Sequence, residues 1–161
     1  METKFKILPI SRNDKNRVHK ALKKAWGSCV IIKKERIHQA DELPGFVAVQ
    51  NEEITGLITI YDDGQQIEIV TLSSIDDNED IKSTLVGQVI TMARNNHCCR
   101  VWVILTNDNT PCLALLQKLG FSMCQFYKNA VDFTRHIDPD YPLCGVDNIP
   151  VRDEIELEFL L

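Results

Sequence analysis

The segment "CRVWVILT", Cys99 to Thr106, constrains the fold of this chain more than any other stretch. Its apolar residues run almost without a break instead of alternating with polar ones. A strand with that pattern is buried on both faces, so its sheet must be covered on both sides. Helix-forming segments flank it in the sequence. Upstream, Ile81, Leu85, Val89 and Met92 fall on one stripe at helical spacing. Downstream, Leu113, Leu116 and Leu119 lie three apart, and Gly120 closes the helix. Thr110 before Pro111 reads as its N-cap and first turn, where proline's missing N–H is not needed.

The rest of the chain supplies strands. "KFKILPI" is a short alternating run. Residues 12–26 form a helix by the set Val18, Leu22, Ala25 and Trp26, with Ser11 as cap and Gly27 as stop. "CVIIKK" reads as a short extended piece. "GFVAVQ", "EITGLITIY" and "IEIVTLSS" are strands joined by "NEE" and "DDGQQ", an antiparallel meander. "FSMCQFY" is a further strand, "NAVDFTRHI" a helical turn or two, and "DPDYPLCGVDNIP" a loop. "RDEIELEFLL" alternates as a last strand with one wet face. The class is α/β or α+β, a mixed sheet in one domain spanning residues 1–161.

Charge is unevenly placed. Residues 1–36 hold 11 Lys/Arg and 3 Asp/Glu, whereas the whole chain is at −5. The basic excess reads as the solvated side of the first helix. No nucleic-acid motif accompanies it and no aromatic residues interleave with it, so a nucleic-acid partner is not expected. No apolar run approaches a membrane span, and "METKFKILPISRNDKNR" lacks the apolar centre of a signal peptide. The expected location is the cytoplasm. None of the six cysteines forms a CxxC pair or a zinc spacing with histidine, so reduced thiols and no metal are expected.

"IEIVTL" with the helix from Ile81, and then "VWVILTNDNTPCLALLQKLGF", resemble the GNAT superfamily of N-acetyltransferases. "AWGS", "LPGFVAV" and "NAVDFTRHIDPDYPLCGVDNIPVRDEIELE" resemble a subgroup of its small bacterial members. The resemblance covers essentially the whole chain. It implies a mostly antiparallel central sheet flanked by helices, and acetyl transfer from acetyl-CoA to an amine. It implies that the strand at 67–73 splays from its neighbour, so that Thr71, Leu72 and Ser73 pair with the pantetheine arm. Lys82, Ser83 and Thr84 would then lie at the pyrophosphate, with Asn107 and Asn109 at the strand exit beyond. A glutamate at the position of Glu68 acts in some members as the base for the amine, and burial is expected to raise its pKa.

Two departures weaken that picture. The family's glycine-rich phosphate loop falls on Asp77, Asn78, Glu79, Asp80, Ile81 and Lys82, which carry neither glycine nor a leading cation. These acids suit a helix N-terminus but repel a diphosphate. Like charges about 4 Å apart cost about 4 kcal/mol at an effective dielectric near 20. The tyrosine that the family places seven residues after Asn109 is Leu116, which donates no proton and reads as core, and Cys112 reads as small packing filler. His38 is expected at the surface. Asp153 and Glu154 open the last strand, where solvent or an acceptor pocket for a cationic amine accounts for them. Two functions follow: an N-acetyltransferase for an unidentified amine with a weakened acetyl-CoA grip, or an inactive GNAT-fold binding or regulatory module. A homodimer through an exposed final strand is also anticipated.

Overall fold

Tight reversals organise the first half of the chain. Asn51 and Glu52 both take positive φ, at 51° and 65°. Such a two-residue turn matches the twist of paired strands, and it joins β4 (Gly45–Gln50) to β5 (Glu53–Asp62). Lys34 and Glu35, at 45° and 60°, make the same kind of turn between β2 (Val30–Lys33) and β3 (Arg36–Gln39). β2 and β3 form a separate two-stranded hairpin that the sequence showed only as one extended piece. The computed structural model describes residues 4–161.

The remaining elements are β1 (Lys6–Pro9), α1 (Lys15–Trp26), β6 (Gln66–Ser74), α2 (Glu79–Asn95), β7 (Arg100–Thr106), α3 (Thr110–Lys118), β8 (Ser122–Tyr127), α4 (Val131–Ile137) and β9 (Glu154–Leu160). Seven strands make one sheet in the order β1-β4-β5-β6-β7-β9-β8. Only β6 and β7 run parallel, because α2 carries the chain across between them. The fold is therefore the mixed, mostly antiparallel α/β sheet that the resemblance implied.

Both faces of the sheet are covered, as the apolar run of β7 requires. Ile81, Leu85, Val86 and Val89 of α2 join Leu116 of α3 against Ile58, Ile60, Ile67 and Ile69. On the opposite face Val18 and Leu22 of α1 meet Ile31, Val47, Leu57 and Val70. Full burial of each such side chain contributes about 1.5–3 kcal/mol. Gly56 lets α2 approach β5, since a Cβ there would lie 2.3 Å from Ile81 Cγ2.

Three expectations need correction. The final strand is not an edge: β9 is paired with β7 on one side and β8 on the other, so it offers no free ladder to a second subunit. The edge at that end is β8, with Met123 and Phe126 more than half exposed. The cap of α3 is Asn109, whose Oδ1 accepts from Cys112 N at 3.4 Å, one residue before the Thr110 expected from the Pro111 signal. Finally, simple alternation along "IEIVTL" predicts Glu68, Val70 and Leu72 on one face, but a bulge at Val70 shifts the alternation of β6 by one residue and turns Leu72 to the other.

Candidate active site

That bulge shapes the site. The β5–β6 register runs Thr59↔Thr71 and then Ile60↔Ile69, leaving Val70 as the extra residue. A bulge bends its strand and increases the local twist. The β6–β7 ladder accordingly ends at Ile69↔Val103, although β6 continues to Ser74 and β7 to Thr106. Beyond the bulge the two strands enclose a gap, and residues 70–74 have no ladder partner on that side. Thr71 is buried, its hydroxyl 2.6 Å from that of Thr59. Leu72 and Ser73 are half-buried along the same open edge.

A lysine stands at the closed end of the gap. Lys33 is 7% exposed, and its Nζ donates to Val70 O at 2.7 Å. Trp26 lies over the ammonium, with the ring centroid 5.6 Å away. A narrow cleft in the gap is lined by Lys33, Val70, Leu72, Asn109, Cys112 and Leu116. Leu116 is completely buried, and burial pushes the Cys112 thiol up. Sequence reading missed Lys33. The available signal was strand parity, which puts Lys33 on the buried face with Ile31 in "VIIK".

The cleft opens into a cavity of about 430 Å³, sharing Lys33, Leu105 and Asn109 with it. Trp26 and Tyr141 contribute aromatic surface to the cavity, and Asp108, Asp138, Asp140 and Glu154 contribute carboxylates. Asp108 is buried, with Oδ2 accepting from Val146 N at 3.1 Å and Oδ1 left without a partner. Glu154 is 1% exposed and accepts from Lys34 N at 2.8 Å. Burial raises the Glu154 carboxyl above its ordinary range; that hydrogen bond and the charges of Lys33 and Arg36 oppose the rise without cancelling it. Of this acidic, aromatic enclosure the sequence pointed only to Glu154, because the other carboxylates come from the β7 exit and the loop after α4.

Glu68 is fully buried beneath the β2–β3 hairpin. Its Oε2 is bonded by Arg36 Nη2 and lies 3.4 Å from His38 Nε2, while Oε1 has no partner. Arg36 in turn stacks on Trp102, 4.8 Å from the ring centroid. Burial alone would raise the Glu68 carboxyl, as expected from the sequence. The contacts of His38 and Arg36, with the charges of Arg36 and Lys33, more than offset it and leave the pKa below the ordinary carboxylate value. His38 is buried against Glu68 and Tyr61 instead of lying at the surface.

At the start of α2 the acids have separate fates. Asn78 caps the helix, its Oδ1 accepting from Ile81 N at 3.0 Å. Lys82 is buried, and its ammonium is bonded to Asp77. Asp76 and Asp77 take positive φ, at 54° and 50°, the conformation for which glycine is usual. Glu79 and Asp80 are exposed. Ser83 is half-buried, and the Thr84 hydroxyl bonds back to Asp80 O at 2.7 Å. Asn107 is occupied elsewhere: its Nδ2 donates to Pro150 O, and its Oδ1 accepts from Arg152 N and Asp153 N, which pins the loop before β9.

Outside the gap, donor atoms of His19, Cys29 and Asp41 lie within 4.8 Å of one another. His19 Nδ1 is 2.9 Å from Asp41 Oδ2 and 3.3 Å from Cys29 Sγ, a cluster that ties α1 to the hairpin and the turn after it. None of the three lines the cavity or the cleft.

A sheet that splits after a parallel pair leaves a free strand edge that can seat an extended molecule, as an added strand would. The acetyltransferase (GNAT) family model matches residues 15–121, and the chain belongs to that family. YdhI of Bacillus subtilis (strain 168), described as an uncharacterized protein, is 36% identical over 150 residues, 92% of this chain and 94% of that one. YxbD of the same organism, described in the same words, is 32% identical over 94% of this chain and 96% of its own length. Among solved structures, a GNAT family acetyltransferase from Elizabethkingia anophelis with acetyl-CoA bound superposes with a TM-score of 0.71 at 22% identity, covering 99% of this chain and 100% of its own. An IAA acetyltransferase from Bacillus cereus ATCC 14579 gives a TM-score of 0.76 at 20% identity, covering 98% of this chain and 100% of its own.

Proposed function

We propose that this chain is an acetyl-CoA-dependent N-acetyltransferase whose acceptor is a cationic amine. One observation carries the reading: the gap beyond the Val70 bulge opens directly into an acidic cavity. The residues present fit the donor. The free edge of β6 at Thr71, Leu72 and Ser73 suits the amides of a pantetheine arm, as an added strand would. Lys82 suits a diphosphate once Asp77 releases it, while Glu79 and Asp80 in the first turn of α2 repel one and weaken that grip. When bound, acetyl-CoA supplies an activated acetyl thioester.

The chain's own groups do the rest. Asp108, with one oxygen free, draws the acceptor's ammonium into the cavity together with Asp138 and Asp140. Glu154 is the better base for its proton. It lines the cavity, and its raised pKa brings it closer to the operating pH. Glu68, expected in that role, is held as an anion by Arg36 and orders the hairpin that closes the cavity. Much of the rate enhancement then comes from holding amine and thioester in register.

The Asp77–Lys82 contact favours a second reading, a GNAT-fold module that no longer admits the donor. Calorimetry with acetyl-CoA separates the two. Micromolar binding, with thiol release on addition of cationic amines but not neutral or anionic ones, supports the enzyme. No binding at millimolar acetyl-CoA supports the module.

A further inference from the structure

Lys33 is unusual among the chain's lysines. An ammonium offers three donors, yet the only hydrogen bond that Lys33 makes within the described residues goes to Val70 O. A buried cation left in this state favours an anion at its free positions. Glu68 and Glu154 are near enough to act on it through space, but neither is hydrogen-bonded to it. Within the cleft itself Asn109, Cys112 and Leu116 bring no carboxylate, imidazole or phenol. Acyl transfer from a thioester develops negative charge on a departing sulfur, and Lys33 is the cation that borders both the donor gap and the acceptor cavity.

We propose that Lys33 Nζ donates the proton that the departing thiolate requires. The inference rests on the acetyltransferase reading above. In the balanced step the acceptor ammonium first loses one proton to solvent through Glu154, and the freed nitrogen lone pair then forms a bond to the acyl carbon as the carbon–sulfur bond breaks. Sulfur keeps the electron pair of the broken bond and takes a proton from Nζ. The nitrogen gives its surplus proton to Glu154, and Glu154 returns it to Lys33 through solvent. Lys33 thus does from the hairpin face of the cleft what Leu116, on the helix face, cannot.

The surroundings tune the group for this. Burial lowers the Lys33 pKa, the charges of Glu68, Cys112 and Glu154 draw it back up, and Arg36 pushes it down, with the net shift downward. These groups come from β6, α3, β9 and β3, and α1 adds only the uncharged Trp26. A lysine lowered in this way gives up its proton more readily.

The test reads the sulfur directly. The thiolate absorbance of CoA is titrated with pH in complex with the chain, using desulfo-CoA in the same site as the blank. A titration midpoint at least one pH unit below that of free CoA, lost in Lys33→Gln, is expected. Turnover of Lys33→Gln is expected to fall by about 10²-fold or more, with acetyl-CoA affinity by calorimetry changed less than threefold. The wild-type titration stands even if the variant does not fold: an unshifted midpoint in the wild type overturns the assignment. Turnover within threefold of wild type in Lys33→Gln also overturns it while leaving the acetyltransferase reading intact. A wild-type chain that binds neither CoA nor acetyl-CoA overturns both.

Discussion

Glu68 shows how burial and pairing compete at one residue. Arg36 and His38 hold its carboxyl below the ordinary value despite complete burial. A carboxyl lowered in the folded state contributes stability that is complete above its unfolded value of about 4.3 and disappears as pH falls through the folded pKa. Glu68→Gln is therefore expected to lose about 2–3 kcal/mol at pH 7. Urea denaturation from pH 7 down to pH 3 should show that difference from wild type shrinking toward the acid end. A difference that grows with acidity contradicts the pairing. At the other end of β6, Asp77 holds Lys82. Asp77→Asn releases the ammonium and removes a repelling charge, so acetyl-CoA is expected to bind about fivefold more tightly by calorimetry, roughly 1 kcal/mol. The triple change of Asp77, Glu79 and Asp80 to their amides should tighten it further, and both gains should fade in high salt.

Among the elements, the gap is a property of a strand pair and not of any side chain. β6 reads as an ordinary core strand, and only its register against β5 shows the extra residue at Val70 that turns it away from β7. The hairpin of β2 and β3 then brings Lys33 and Arg36 over the opening. Helix ends are more local. Loss of the Asn109 cap in Asn109→Ala is expected to lower stability by about 1 kcal/mol in thermal or urea melts, with α3 retained by circular dichroism. Gly45 is less forgiving, because a Cβ there would sit 1.9 Å from Ile58 O, which belongs to the backbone of the neighbouring strand. Gly45→Ala is expected to cost about 3 kcal/mol or more, seen as a large drop in melting temperature. An unchanged melt contradicts the close approach of β4 and β5.

Over the whole molecule, burial sorts six cysteines of similar sequence appearance. Cys99 and Cys144 are exposed, whereas Cys29, Cys98 and Cys112 are buried. Cys124 is partly covered, and burial, then its contact with Glu156, pushes its thiol up to about 11. A thiol reagent at pH 7.5 is therefore expected to modify two cysteines quickly in the folded chain and all six in denaturant. Fast labelling of four or more folded thiols contradicts the packing. The helices likewise divide by position in the fold, α2 and α3 on one face and α1 with the hairpin on the other. Among the described residues no helix is long and apolar enough to cross a membrane.

The sequence by itself determined the class and most of the elements, the β2–β3 hairpin excepted. The apolar run of β7 demanded cover on both faces, helical stripes supplied it, and short polar turns imposed the meander. These are local periodicities, and the residues that express them lie within a few positions of one another. The family was legible for the same reason, in contiguous stretches from the central strand to the helix after Asn109. Tertiary structure alone decided the chemistry of the site. Lys33 and Val70 are 37 residues apart, and Asp108 and Glu154 line one cavity from the turn after β7 and from the start of β9. The direction of the Glu68 shift depends on Arg36 and His38 arriving from another hairpin. Burial, desolvation and charge pairing arise only when distant segments meet, so a linear chain carries no signal of their balance.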